Sequence, residues 1–199
     1  MAPAGRVPAG GSWRERGEGS TVSLKLHLGC GGKHIDGYVN IDGRYVPGVD
    51  KVDNIKFLRS FNTNSVDVIY ACAVLEHFSR WEYMVALKRW YELLKPGGVL
   101  RVSVPSFEAL AEHYVQHKDL KPLIGMLYGG QDYAENFHHM CWDRRTLEED
   151  LRTAGFEEIY EYDWRKTEHA ALDDFSQAYL PHMDKEHGKL MHLNLEARK

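Results

Sequence analysis

Leu24-Lys25-Leu26-His27-Leu28-Gly29-Cys30-Gly31-Gly32 is the stretch from which the rest of the chain can be read. Apolar residues at every second position predict a short strand, and the glycines predict a turn at its carboxyl end. Glycine in such a turn lets backbone N–H groups approach a ligand without a Cβ in the way. A nicotinamide site does not fit. The dinucleotide fingerprint needs a third glycine where this chain has His34, and its acid about 20 residues on, whereas Asp42 lies 13 positions beyond Gly29. An acid at the tip of a second strand still suits the two hydroxyls of a ribose, so an adenosine-type ligand remains in view.

Outward from this turn, strand and helix signals alternate. Tyr38–Asp42 reads as a second strand, Val49–Val52 as the start of a third, and Val66–Ala71, nearly all apolar, as a fourth covered on both faces. Ser79-x-x-Glu82 is a capping box, and Tyr83, Leu87, Trp90, Tyr91 and Leu94 follow on one helical face. Pro96-Gly97-Gly98 ends that helix before a fifth strand, Val99–Val104. Ser106 caps a further helix with the stripe Phe107, Leu110, Ala111, Tyr114 and Val115. An irregular stretch, 118–142, precedes a helix over Arg144–Ala154 that stops at Gly155, and Phe156–Trp164 and Leu190–Ala197 are strand-like. Such alternation predicts an α/β fold, a doubly wound, mostly parallel sheet with helices on both faces. Ligands in such folds bind beyond the carboxyl ends of the strands.

The 199 residues, 43% hydrophobic and 27% charged with a net charge of −4, suit one compact domain with a tail. Residues 1–20, rich in glycine with Trp13 as their only large aromatic, are expected to be a disordered tail, and 21–199 the folded domain. No apolar run approaches the ~20 residues of a membrane span, and the start lacks the apolar stretch of a secretory signal. Cys30, Cys72 and Cys141 are odd in number and form no CxxC, which points to a reducing, cytoplasmic setting.

Several motifs in order carry a family resemblance. Leu28-Gly-Cys-Gly31, Asn40-Ile-Asp42, Val52-Asp53-Asn54, the segment Asp67–His77 ending in Leu75-Glu76-His77, and Leu94-Lys-Pro-Gly-Gly98 leading into a strand resemble a class I S-adenosylmethionine (SAM) dependent methyltransferase. The similarity runs from Leu24 to Phe156 and more loosely to the last strand, and the fold it implies is the seven-stranded Rossmann-like sheet of that family. It implies SAM as cofactor and S-adenosylhomocysteine as product. It places Gly29, Cys30 and Gly31 at the cofactor loop, Asp42 at the ribose, Asp53 and Asn54 at the adenine edge, and Ala71 at the end of the fourth strand. Two departures stand out. Many members carry an acid where this chain has His27, and the interval Gly31–Asn40 is too short for a full first helix, leaving that side of the pocket open or closed by another segment.

Methyl transfer to a hydroxyl needs a base near the methyl group. His138 is the first candidate, with His139 and His77 behind it and Asp132 as an orienting acid; Glu76 and His77 are alternatively read as bracing their loop. Tyr128, Tyr133, Phe137 and Trp142, interspersed with Gln, Asn and Asp, suit a sugar, whose C–H faces stack while its hydroxyls need partners. Asp173–Pro181 is a second candidate acceptor wall. No metal site is expected: His113 and His117 stand at i, i+4, but no HExxH is present. Residues 131–163 hold ten acids against three bases, a charge of −7, and no basic run exists, so nucleic-acid and membrane partners are not expected. A small-molecule or glycan acceptor follows, with a homodimer open. The small group resembled often accompanies glycan assembly, so the reading is a sugar or glycan O-methyltransferase. The alternatives are a natural-product O- or N-methyltransferase and a catalytically silent SAM-binding subunit. Aminopropyl transfer, a third reading, would need an acid-rich channel, and the acids here read as a solvated face.

Overall fold

The computed structural model describes residues 23–199; the tail expected over 1–20 lies outside the described residues. Its strands are β1 (Lys25–Leu28), β2 (Val39–Asp42), β3 (Lys51–Val52), β4 (Val66–Cys72), β5 (Leu94–Pro105), β6 (Glu158–Glu161), β7 (Tyr179–Leu180), β8 (Lys189–Leu190) and β9 (His192–Arg198). Among the described residues four α-helices are interspersed, α1 (Tyr83–Leu93), α2 (Phe107–His117), α3 (Ile124–Tyr128) and α4 (Arg144–Ala154). Seven strands form one sheet in the order β3-β2-β1-β4-β5-β9-β6, and β7 and β8 form a separate two-stranded ribbon. The pairs from β3 through β5 are parallel, while β9 runs antiparallel to both β5 and β6. The expected seven-stranded, mostly parallel, Rossmann-like sheet is present.

Side-chain alternation gives the sheet two unlike faces. Leu26, Leu28, Ile69, Ala71, Leu100, Val102, Leu195 and Ala197 point to one side and join Leu87, Trp90, Leu147 and Leu151 of α1 and α4 in the main core. Helix α4 begins and ends where its sequence predicts. Asp143 accepts from Thr146 N at 2.8 Å, and Gly155, at φ 118°, closes the last turn. The expected Ser79–Glu82 box forms only in half: Glu82 accepts from Ser79 N at 3.3 Å, but Ser79 Oγ donates to that carboxylate at 2.7 Å and takes no backbone N–H, and the regular helix starts only at Tyr83.

The other face carries Lys25, His27, Tyr70, Arg101, Asn194 and Glu196, and this face departs from the expectation of helices on both sides. The connections 29–38 and 43–50 hold only turns, too short for helices. Residues 162–178, inserted after β6, lie across the face instead. Glu168 is their hub, accepting from Lys25 Nζ at 2.9 Å, Tyr38 OH at 2.7 Å and Arg101 at 2.7 Å. Asn194 Nδ2 donates to Ser176 O at 2.9 Å, and Tyr70 OH donates to Asp174 at 2.6 Å. Polar strand residues therefore pair with a polar cover, while Asn194 Oδ1, Tyr162 OH and both ring nitrogens of His169 stay without a hydrogen-bond partner there.

The stripe expected on α2 is not buried. Only Ala109 and Leu110 pack, against Leu123 and Met191, while Phe107, Tyr114 and Val115 are exposed. The helix leans on the turn before α3 and the start of β9 with one narrow edge, so most of its apolar side never meets the core.

Candidate active site

The carboxyl ends of β1, β2 and β4 converge at the glycine turn. Gly29 sits at φ 61°, and a Cβ there would lie 2.5 Å from Val74 Cγ2, so no larger residue fits. At Gly31, φ 50°, an added Cβ would meet nothing within 4 Å, which leaves that backbone open to a ligand. Asp42, buried at the end of β2, accepts from Gly31 N at 2.9 Å through one oxygen and from Arg44 N at 2.9 Å through the other. The Arg44 guanidinium lies 3.5 Å from the centre of the Tyr133 ring, so the irregular stretch reaches back across the cleft to β2.

A cavity of about 680 Å³ opens beside this turn, of the size that holds a small-molecule ligand. Gly29, Cys30 and Gly31 form one wall, Cys72, Ala73, Glu76 and His77 the floor after β4, and Tyr133, Asn136 and His138 the wall opposite. Asp173, Asp174, Phe175 and Tyr179 complete it. Ala73 occupies the left-handed region at φ 52°, a strained setting for a residue with a Cβ, where the chain turns into the cavity floor.

His27 does not face solvent as an acid at its position would. It is buried, stacked on Tyr70 with ring centres 5.4 Å apart, and its Nδ1 meets Asn40 Oδ1 at 3.0 Å; burial lowers its pKa. On this side of the cavity Asp174 brings a carboxylate. Its carboxylate is fixed by Tyr70 OH and by Ser176 N at 2.9 Å. The segment 162–178 thus closes the side left without a first helix.

The sequence-selected residues divide. His138 and His77 come together, ring centres 4.7 Å apart and edge to face, with Glu76 beside them. His138 Nδ1 is 2.8 Å from Met126 O and His77 Nδ1 is 2.9 Å from Glu135 O. Burial lowers the pKa of both rings, His77 to about 4 with neighbouring His138 adding to the effect, so both are neutral at pH 7. Asp132 does not orient His138. It is exposed and accepts from Asn136 Nδ2, tightening the 129–138 loop, and the Met126 carbonyl holds the ring instead. His139 is exposed and enters only through its backbone N–H, bonded to Glu76 O at 2.8 Å. Of the four aromatics expected around an acceptor, Tyr133 alone lines the cavity; Trp142 is buried in the core with its Nε1 on Asp150, and Tyr128 and Phe137 lie elsewhere on the surface.

Among cofactor candidates, Gly29, Cys30 and Gly31 line the cavity, whereas Asp42, Asp53, Asn54 and Ala71 do not. Asp53 is engaged by Ser60 Oγ and by Asn54 N at 2.7 Å, and Ala71 is fully buried one residue before the floor. The stretch Asp173–Pro181, expected as a second acceptor wall, does line the cavity through Asp173, Asp174, Phe175 and Tyr179, whereas sequence reasoning missed Met126 as the orienting group. Asp174-Phe175-Ser176 does carry an Asx-turn signature, which marks a turn but not where it docks.

The sequence model of the methyltransferase-domain family matches residues 26–161. The chain belongs to the methyltransferase-domain family. It is an enzyme of the class I, SAM-dependent kind, with S-adenosylhomocysteine as the product of its cofactor. A SAM-dependent methyltransferase from Archaeoglobus fulgidus superposes with a TM-score of 0.52 at 15% identity, covering 89% of this chain and 86% of that one. The Burkholderia thailandensis 1,6-didemethyltoxoflavin-N1-methyltransferase, solved with its acceptor and S-adenosylhomocysteine, gives 0.56 at 16% identity, over 89% and 71%. A Haloferax volcanii methyltransferase in complex with its activator gives 0.52 at 16% identity, over 89% and 82%. At these identities the likeness establishes the fold. No curated protein matches the chain in sequence. No described helix of this methyltransferase is long and apolar enough to cross a membrane.

Proposed function

We propose that this methyltransferase transfers the SAM methyl group to a hydroxyl of a sugar or glycan, acting on a small acceptor in the cytoplasm. The observation that carries the proposal is the juxtaposition, in one cavity, of the glycine turn and two neutral histidines whose Nδ1 atoms are already engaged. The cofactor supplies an electrophilic methyl group. The turn Gly29–Gly31 offers a backbone that a ligand can approach closely at Gly31, its Cys30 and Gly31 N–H groups being held by Ile41 O and by Asp42, and each Asp42 oxygen keeps a lone pair for a ribose hydroxyl beyond the one backbone N–H it accepts. Asp53, Asn54 and Ala71 complete the cofactor set in this reading. Asp174, on the cavity wall, is the carboxylate assigned to the cofactor's amine in this reading.

At the acceptor side His138 takes the hydroxyl proton at Nε2, the nitrogen left free by Met126, with His77 next to it. Tyr133 and Phe175 offer ring faces, and Asn136 and Asp173 offer hydrogen-bonding groups, a mixture that suits a neutral sugar better than an anion. The three cysteines are all free, in keeping with a reducing compartment.

Two measurements test this. A panel of nucleotide sugars and short glycans, read by mass for a methyl gain, should contain an acceptor; activity confined to phenols or amines overturns the sugar assignment. His138→Ala should bind SAM within about twofold of wild type while turnover falls by roughly 10²–10⁴. Unchanged turnover removes His138 from its role.

A further inference from the structure

Glu76 is the least explained side chain of the cavity. It is fully buried, and neither carboxylate oxygen has a hydrogen-bond partner. A buried carboxylate without a partner is costly and calls for a proton or a cation. Around it, one nitrogen of His77, one nitrogen of His138 and a carboxylate oxygen of Glu76 all lie within 4.8 Å of one another. The surroundings are arranged as they are around metal ligands. Each ring directs Nδ1 at a backbone carbonyl, Glu135 O for His77 and Met126 O for His138, which fixes the ring and leaves Nε2 as the donor. The backbone joins the two halves of the cluster, since His139 N and Met140 N both donate to Glu76 O. The loop carrying His138 is tight in its own right: a Cβ at Gly129 would lie 2.5 Å from Asn136 O.

We propose that Glu76, His77 and His138 form a divalent metal site of the zinc class, with its open coordination positions facing the acceptor side of the cavity. Two imidazoles and one carboxylate are the donor set of catalytic zinc sites that keep a position for substrate. Tetrahedral zinc spaces its donors by roughly 3.4 Å, so the three groups draw together when the ion binds. The site rests on the reading of this cavity as the acceptor pocket and deepens it. A bound ion would make His138 a ligand and would lower the pKa of an acceptor hydroxyl, whose proton would pass to solvent, the task that His138 performs as a base in the metal-free protein. It selects an acceptor whose oxygen can reach the ion.

The test is metal binding by the full-length, tag-free protein after chelator treatment, measured without acceptor or cofactor. Zinc calorimetry should give one site per chain, and cobalt(II) should give a visible absorption band that zinc abolishes. Glu76→Gln, which keeps the volume of the buried side chain, and His138→Ala should each weaken zinc binding at least 100-fold. Circular dichroism should report both variants as folded; a variant that fails this check is replaced by His77→Gln. His113→Gln/His117→Gln, which removes the solvent-facing pair with ring centres 4.3 Å apart, should leave the site unchanged. No zinc site in wild type, or a site lost only in the His113/His117 variant, overturns the proposal. Sugar methylation without zinc binding removes the metal and leaves the function, whereas zinc binding without any sugar product removes the function and leaves the site.

Discussion

Gly29 shows how one residue type can be dictated twice. Its φ of 61° and the 2.5 Å that would separate an added Cβ from Val74 Cγ2 both exclude alanine. Gly29→Ala should cost about 1–3 kcal/mol of stability, from strain and overpacking, and weaken SAM binding beyond that; urea denaturation and calorimetry read the two effects separately. Gly31→Ala should keep more stability, because open space surrounds its Cβ, yet lose cofactor affinity. The turn residues were readable because a strand, a glycine run and an acid at the next strand tip are local patterns. Glu76, His77 and His138 were readable only as separate candidates. Their meeting depends on His139 and Met140, just after the 129–138 loop, bonding back to Glu76 O, a tertiary contact without a sequence period. Asp132, close in sequence to His138, was the natural choice of orienting acid, but a backbone carbonyl needs no particular side chain and left no signal.

At the scale of elements, helix α4 and strands β1, β2, β4 and β5 follow from periodicity, capping and glycine stops. The cover over the polar sheet face does not. Residues 162–178 have neither a helical nor a strand period, and they are held by side chains distant in sequence. Glu168 carries most of that load. Burial works against its ionisation, but Tyr38, Lys25 and Arg101 hold its carboxyl well below the usual range. Glu168→Gln should destabilise the protein by about 1–2 kcal/mol, discounted because the side chain is partly solvent-exposed, and should expose 162–178 to limited proteolysis ahead of the sheet. Equal protection of that segment in both proteins would show that its packing, and not this hub, keeps it in place. The same carboxyl adds stability above the unfolded carboxylate pKa that is lost as acid protonates it.

For the whole molecule, buried titratable groups set opposing slopes of stability against pH. The folded-state values are about 4 for His77, about 4 for His169 and about 3 for His192, all lowered by burial from 6.5. Above pH 6.5 these rings are neutral in both states; below it the unfolded chain takes up protons first, so stability falls with falling pH. Glu76 works the other way. Burial pushes its carboxyl from 4.5 up to about 8, so stability falls as pH rises between those values and levels off above. The histidines dominate below pH 6.5 and Glu76 above. In chelator, urea melts should therefore give a maximum near neutrality and a decline of about 2 kcal/mol from pH 6.5 to 8, at roughly 1.4 kcal/mol per unit. Glu76→Gln should abolish that decline; an unchanged one would place its origin elsewhere.

The 162–178 segment begins just after β6, and β6 already pairs with β9, Glu161 opposite Leu195, so the excursion from 162 to 191 leaves and rejoins the sheet at neighbouring points. It also lies past residue 161, where the match to the family ends, yet it contributes Asp173, Asp174, Phe175 and Tyr179 to the cavity wall. The common scaffold and this part of the ligand wall are thus separable stretches of chain joined at a closed hairpin. Such a joint tolerates exchange: a different excursion grafted onto the same two strands would re-specify the pocket while the sheet register stayed as it is.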